Sequence, residues 1–195
     1  MADIEQRIID SAIRLADEGG FQAVRLRDVA AAAGIGLGTL YTRFRSKEAI
    51  LVAALEGELE KFYIVLKQFP PRGETVLERM HEFFGLATQA FIARPNFARA
   101  VLRSVAVGDE KMSGRVIRYY SGMSKLIVTY MRAQHEPVDE PTPAEAEVAF
   151  FLKHEWFGIL MGWMNHLYSE EEAVESMKRA ATLLIRGYET TRAAT

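Results

Sequence analysis

The chain has 195 residues, enough for one ordinary domain or for a small module joined to a larger one. Hydrophobic residues make up 49% and charged residues 26%, a balance typical of folded proteins that argues against a disordered chain. The sequence contains no cysteine, which excludes disulfides, thiolate metal sites and cysteine nucleophiles. A mixed-charge N-terminus and the lack of any apolar run of about 18 residues predict a cytoplasmic protein with no membrane segment.

Positive charge is concentrated in one short segment of a nearly neutral chain. The net charge is −2, yet residues 25–47 contain five basic side chains and one acidic side chain, which gives +4. The basic residues are Arg25, Arg27, Arg43, Arg45 and Lys47. Such a patch is typical of a nucleic-acid-binding surface, but it also occurs as an ordinary solvated cluster.

Helical periodicity runs through nearly every segment and sustained strand alternation is absent, so the sequence predicts an all-α fold of about nine helices. In the N-terminal part, helices are predicted over about residues 3–18, 27–33, 37–44 and 47–68. Gly19 and Gly20 are predicted to end the first helix, and Ser46 is predicted to cap the fourth. Residues 70–73, Pro-Pro-Arg-Gly, are predicted to form a linker.

Capping boxes indicate where three of the later helices begin, at residues 75–78, 142–145 and 169–172. The predicted helices span about residues 75–94, 96–105, 109–134, 142–167 and 169–189. The segment HEPVDEPTP, which follows the helix predicted to end at about residue 134, is predicted to form an acidic, proline-rich loop.

The segment GIGLGTLYTRFRSKEA, residues 34–49, alternates glycine with apolar residues and raises the possibility of a phosphate-binding loop. A dinucleotide-binding fingerprint follows a strand and needs a further glycine, whereas this segment follows an alanine-rich helix. A P-loop needs lysine after its last glycine, but Gly38 is followed by Thr39. Neither type of phosphate loop fits this context.

A helix-turn-helix fits the same segment better, because two short predicted helices flank the turn Gly34-Ile35-Gly36. Leu40 and Phe44 lie four residues apart and are predicted to face the core. The opposite face carries small, hydroxyl-bearing and basic side chains. A DNA-reading helix needs that combination, because small residues allow entry into the major groove while hydroxyl and basic groups reach phosphates and base edges.

The start of the chain resembles the DNA-binding domain of the TetR family of bacterial transcriptional regulators. The matching segments are IIDSAIRLADEGGF and RDVAAAAGIGLGTLYTRFRSKEAIL. The resemblance implies a ligand-responsive repressor that binds a palindromic operator as a homodimer. It also implies a helix-turn-helix domain over residues 1–48 and a ligand-binding and dimerisation domain over residues 49–195, connected by the helix over residues 49–68.

The resemblance assigns contacts to individual residues of this sequence. It implies phosphate contacts for Thr39, Tyr41 and Lys47, with Tyr41 also packing part of its ring on the fourth helix. It places four further residues at or near base edges: Leu37, Gly38, Thr42 and Arg43. Many family members have Thr or Ser where this chain has Arg25, so the role of Arg25 is open. The predicted DNA-binding residues are Arg25, Arg27, Leu37, Gly38, Thr39, Tyr41, Thr42, Arg43 and Lys47.

Aromatic and Met side chains recur at helical spacing in the C-terminal part. Such a stripe is typical of a core, but the fold implied by the resemblance places an apolar ligand cavity among these helices. We expect a small hydrophobic effector there, and the predicted ligand-binding residues are Phe84, Phe91, Met123, Trp156 and Leu160.

The helix predicted from residue 142 is apolar nearly all round, which requires packing partners on several sides. Ordinary packing within the chain would satisfy this, but the resemblance favours a four-helix bundle between two copies. Gly158 and Gly162 are expected to permit close helix approach. The predicted interface residues are Phe151, Gly158, Gly162, Met177, Ala181 and Leu184.

Catalytic and metal-binding motifs are poorly represented. His154-Glu155 has glycine at position 158, where a zinc-protease helix needs its second histidine. No Gly-x-Ser-x-Gly elbow is present. We therefore expect no cofactor, no metal and no enzymatic activity. The alternative left open is a helical carrier or enzyme that holds a lipid-like molecule in the aromatic cavity.

Overall fold

The computed structural model describes residues 2–69, 72–107, 113–134, 138 and 140–193. Within these residues the chain forms nine α-helices and no β-strand, which confirms the predicted all-α class. The helices are α1 (Ala2–Ala23), α2 (Leu26–Ala32), α3 (Leu37–Arg43), α4 (Lys47–Gln68), α5 (Val76–Ile92), α6 (Pro95–Ala106), α7 (Ser113–Met131), α8 (Pro143–Met164) and α9 (Glu170–Ala193).

The predicted capping boxes are all present, which explains why these helix starts are readable from the sequence. At α8 the Glu145 amide donates to the Thr142 hydroxyl, and the Glu145 carboxylate accepts from the Thr142 amide at 2.8 Å. The same reciprocal bonds begin α5 at Thr75 and α9 at Ser169. Each box satisfies amide groups that the first helical turn leaves without a partner.

Gly19 and Gly20 interrupt α1 where the sequence predicts the first helix to end. Both glycines leave helical geometry, Gly20 adopts a φ of 66°, and a second short helical segment continues to Ala23. The predicted α8 is slightly too long, because the helix ends at Met164 and His166 takes a φ of 60°. Pro70, Pro71, the predicted start of α7 and part of the proline-rich loop lie outside the described residues.

Packing divides the chain into two compact units. The first contains Met1–Glu58 and Ala93–Tyr119, and the second contains Leu59–Ile92 and Tyr120–Thr195. The division therefore falls inside α4 and inside α7. It also groups α6 with the helix-turn-helix, although α6 follows that motif by about 50 residues in the chain.

In the first unit, α1 contacts α2 and packs extensively on α6. Ile8, Ala12 and Ala16 of α1 are fully buried, as are Ala98 and Val101 of α6. Arg94, the residue before α6, is paired with Asp17 of α1, and Asn96 donates to the Asp17 carbonyl at 2.9 Å.

In the second unit, α9 packs against both α5 and α8. A buried arginine, Arg79 of α5, helps to hold this unit together. Its guanidinium donates to the carbonyls of Tyr130 and Met131 at 2.9 and 2.8 Å, and to those of Gly73 and Glu74 at 3.1 and 3.0 Å. Arg79 thus donates to two carbonyl groups at the end of α7, of which that of Tyr130 also accepts from the Ala133 amide at 3.1 Å.

Candidate nucleic-acid interface and ligand site

The turn between α2 and α3 is built on Gly34, whose φ of 65° is disfavoured for residues with a side chain. The Ile35 amide donates to the Ala30 carbonyl at 3.0 Å and the Gly34 amide to the Ala31 carbonyl at 3.1 Å. These two bonds form a Schellman motif, which ends α2 and reverses the chain toward α3. The glycine-rich segment is therefore a helix-turn-helix.

The inner side of this motif matches its predicted core. Val29 and Leu40 are fully buried, and Ala30 and Phe44 are nearly so. Since α3 has only seven residues and a glycine near its start, its own helix propensity is weak. Packing of Leu40 and Phe44 on the surrounding helices therefore holds α3 in place.

The outer side of α3 is open to solvent. Tyr41 is 50% exposed, Leu37 is half-buried, and the remaining predicted residues of this helix, Gly38, Thr39, Thr42 and Arg43, are exposed. The Thr42 hydroxyl donates to the Thr39 carbonyl at 2.7 Å, which leaves its oxygen free to accept. The outer face therefore combines two hydroxyl groups, a phenol and a guanidinium.

No neighbour within the chain explains the glycine at position 38. A side chain built at Gly38 would meet no atom within 4 Å, and the position does not have a positive φ. A helical glycine costs about 1 kcal/mol relative to alanine, so the chain gives up stability at a position where its own packing would accept a methyl group.

Basic side chains surround the motif. Arg25 occupies the N-cap position of α2, but its side chain forms no capping hydrogen bond. The side chains of Arg25 and Arg27 are both exposed. Lys47, the first residue of α4, donates to the Phe21 carbonyl at 2.9 Å and lies 3.7 Å from the Phe21 ring centroid. Burial lowers the pKa of the Lys47 ammonium.

One member of this basic surface comes from a distant part of the sequence. Arg103 of α6 stacks on the same Phe21 ring, 4.6 Å from its centroid, so the ring lies in contact with two cations. The charges of Arg103 and Arg25 also lower the pKa of Lys47, against the opposing charge of Glu48. No local pattern connects Arg103 with the helix-turn-helix, which is why sequence analysis missed it.

Three of the predicted ligand residues, Phe84, Phe91 and Trp156, meet in the second unit. The rings of Phe84 and Phe91 lie 6.2 and 5.9 Å from that of Trp156, and we call these three residues the aromatic cluster. The Trp156 indole donates to the Thr88 hydroxyl at 2.9 Å. Met123 and Leu160 are also buried. Contact of the aromatic cluster with a ligand stays a prediction.

The predicted interface residues separate into a surface set and a buried set. Phe151 is 48% exposed, Gly158 is exposed and Leu184 is half-buried. Met177 and Ala181 are fully buried within the chain, so they have no surface to offer to a second copy. Gly162 is buried as well.

Gly162 is required by a contact within the chain and not by close approach of a partner helix. A side-chain carbon at this position would lie 2.3 Å from the ring of Tyr168, which folds back over α8. The expectation that Gly162 permits close approach of a partner helix is therefore wrong. At Gly158, in contrast, nothing lies within 4 Å of such a carbon.

A surface cleft runs between α8 and α9. Phe151 and Val148 line it on α8, and Leu183, Leu184 and Tyr188 line it on α9. Leu183, which sequence analysis did not select, is 74% exposed. An apolar side chain so exposed beside an apolar cleft is typical of an interaction surface.

Comparisons with known proteins identify the family. Residues 8–54 match the family described as bacterial regulatory proteins, tetR family, and residues 73–184 match the family described as tetracyclin repressor-like, C-terminal domain. The chain belongs to the TetR family.

Among characterised TetR-family relatives, the HTH-type transcriptional repressor KstR of Rhodococcus jostii is 31% identical over 180 residues, which cover 92% of this chain and 82% of the relative. KstR of Mycobacterium tuberculosis is 28% identical over 180 residues, covering 92% of this chain and 80% of the relative. The helix-turn-helix identified from the residues is thus found in a chain whose relatives are repressors.

Solved TetR-family structures support the fold. A TetR regulator from Rhodococcus sp. RHA1 superimposes with a TM-score of 0.83 at 22% identity, covering 94% of this chain and 96% of that chain. The TetR-family repressor FadR of Thermus thermophilus, solved in complex with lauroyl-CoA, gives a TM-score of 0.68 at 18% identity, with 94% of each chain covered.

Other types of site are not evident in the part of the chain that the structure describes. Within it, no group of three or more His, Asp or Glu residues is arranged to hold a metal ion. None of the helices over these residues is long and apolar enough to cross a membrane.

Proposed function

We propose that this TetR-family regulator is a repressor that binds a palindromic DNA operator as a homodimer and is released by a small hydrophobic effector. The DNA-binding part of this proposal depends mainly on the glycine at position 38. It is an exposed helical glycine, unexplained by the chain's own packing, on a face that otherwise carries hydroxyl and basic groups. A major groove that receives α3 explains it, because a groove floor requires close approach of the helix backbone.

The surrounding charges favour a nucleic acid as the occupant. Arg25, Arg27, Arg43 and Arg45 are exposed around α3, and neutralising phosphates with such groups releases bound counterions. Two identical α3 helices in a two-fold dimer would read half-sites separated by about one helical turn or a multiple of it.

The hydrogen bond of Lys47 within the chain limits how many donors it can offer to a phosphate. One hydrogen of its ammonium is donated to the Phe21 carbonyl, so only the other two are available to a phosphate. We propose that Lys47 fixes the end of α1 and contacts DNA with its remaining donors, while Arg43 acts as the freer phosphate contact.

The salt dependence of operator binding tests the DNA-binding part. Each phosphate contact that is removed should reduce the slope of log K against log salt by about 0.9. We expect Arg43→Ala to reduce this slope by about 0.9, the value for one phosphate contact. Lys125→Ala, which removes an exposed charge from α7 in the second unit, should retain the wild-type slope. Equal slopes for wild type and Arg43→Ala would refute the assignment of Arg43.

The effector part rests on the aromatic cluster and on the composition of α8. Rings and Met side chains can accommodate varied apolar molecules. Two structures with this fold, the FadR proteins of Thermus thermophilus and Bacillus subtilis, were solved with lauroyl-CoA and stearoyl-CoA. We therefore propose an effector with a long or bulky apolar part.

Reciprocal coupling tests the effector part against the alternative of a carrier. If an effector weakens operator binding by some factor, the operator must weaken effector binding by the same factor, and such coupling typically amounts to about 1–3 kcal/mol. The measurement is the affinity of an apolar ligand with and without operator DNA. Equal affinities would favour a carrier and contradict a repressor controlled from this site.

A further inference from the structure

A lysine without an acidic partner among the described residues lies one helical turn before Trp156 of the aromatic cluster. Lys153 of α8 donates to the Ser124 hydroxyl of α7 at 2.7 Å, and its ammonium lies 5.6 Å from the Tyr120 ring and 5.5 Å from the Phe150 ring. Among the described residues it forms no ion pair. These residues, with His154, are called the Lys153 cluster.

The Lys153 cluster is linked to the proposed effector site along α8. Lys153 lies three residues before Trp156, which is buried. Residues three apart in a helix are neighbours on one face, so Lys153 and Trp156 occupy neighbouring positions on α8.

Exposure changes along the cluster from solvent toward the core. His154 and Phe150 are exposed, with ring centroids 4.0 Å apart, and Lys153, Ser124 and Tyr120 are half-buried. Trp156 and Met123 behind them are buried. This gradient, from polar surface to apolar interior, matches a molecule with a charged end and an apolar end.

The donors in this cluster suit an anion. A half-buried ammonium loses hydration without a compensating counterion, and burial accordingly lowers the pKa of Lys153. Its ammonium keeps two further N–H groups, and the Ser124 hydroxyl, which accepts from Lys153, still has its own hydrogen to donate. Burial also raises the pKa of Tyr120, which keeps that hydroxyl protonated.

We propose that Lys153 and Ser124 bind the anionic head group of an amphipathic effector whose apolar part lies against the aromatic cluster. This inference rests on the proposed effector site and adds the chemical class of its ligand. The head group is a carboxylate or a phosphate, since both accept charge-assisted hydrogen bonds from an ammonium.

Three probes with the same acyl chain test the head group: laurate, lauroyl-CoA and the uncharged methyl laurate. Binding is followed by intrinsic fluorescence, because the chain has two tryptophans, Trp156 and Trp163, and both are buried in α8. We expect Lys153→Met to weaken the binding of laurate or of lauroyl-CoA about tenfold and to leave the binding of methyl laurate as in wild type. Weaker binding of laurate identifies a carboxylate head group, and weaker binding of lauroyl-CoA alone identifies a phosphate head group.

Two further variants serve as controls. Lys153→Arg keeps the charge and should keep the preference for anionic probes, whereas Lys125→Met removes a charge elsewhere on α7 and should change nothing. Unchanged anion binding by Lys153→Met, or equal weakening of all three probes, would overturn the head-group assignment and leave the proposed effector site standing. Failure of every probe to bind the wild type would overturn both.

Discussion

At Gly38, the residue that would favour folding stability differs from the residue that operator binding is proposed to require. Because its position is open, Gly38→Ala should stabilise the folded chain, by about 0.5–1 kcal/mol, through a smaller loss of backbone entropy. The same methyl group should weaken operator binding by holding α3 away from the base edges. Urea denaturation and operator titration measure the two effects on the same protein.

A variant that gains stability and binds DNA as well as wild type would show that Gly38 has no role in close approach. Gly57→Ala is the matched control, because a side chain there also meets nothing within 4 Å and the position lies outside α3. It should gain stability without affecting operator affinity.

Gly162 and Gly158 form a contrasting pair on α8. Gly162→Ala should destabilise the chain by about 1–3 kcal/mol, because the new methyl group would overlap the Tyr168 ring. Gly158→Ala should be neutral or stabilising, since its surroundings are open. Adding Tyr168→Ala to Gly162→Ala should restore part of the loss, and purely additive effects in this double-mutant cycle would contradict the assigned contact.

The start of α8 makes the stability of that element dependent on pH. The Glu145 carboxylate accepts from the Arg132 guanidinium and from the Thr142 amide, and these bonds lower its pKa to about 2. A lowered pKa in the folded state means that the stabilisation is complete above about pH 4.5 and is lost as the pH falls toward 2.

Glu145→Gln should therefore be less stable than wild type at pH 7, by about 2–3 kcal/mol, and its stability should vary less between about pH 4.5 and 2. Urea midpoints at a series of pH values provide the measurement. Glu155→Gln, at an exposed position of the same helix, should follow the wild-type curve. A Glu145 variant with the full wild-type pH dependence would refute the assignment.

Helix starts and the DNA-binding motif were predictable because their determinants are local. The capping boxes act over three residues, and the Gly34 turn depends on one left-handed position. Arg103 beside Phe21 and Tyr168 over Gly162 were not predictable, since each contact depends on how separate segments pack. For the same reason, helical periodicity identified Met177 and Ala181 as apolar-face residues but could not distinguish a core from an interface.

For the whole molecule, assembly is expected to depend on the cleft between α8 and α9. Leu183→Lys should convert the proposed dimer into a monomer, because it places a charge in the middle of the apolar contact. Leu167→Lys is a close control, since Leu167 is 71% exposed and does not line the cleft. Sedimentation velocity distinguishes the two outcomes. A Leu183→Lys dimer as tight as wild type would place the interface elsewhere.

The grouping of α6 with the helix-turn-helix has a consequence for building chimeric regulators. A DNA-binding module taken as one stretch from the start of the chain would lack Ala93–Tyr119, and with it the helix against which α1 buries its apolar face. The ion pair between Arg94 and Asp17 would be lost as well. Recombination at a point after α4 should therefore produce a poorly soluble hybrid, whereas transplanting both stretches together should transfer operator specificity to a new sensor.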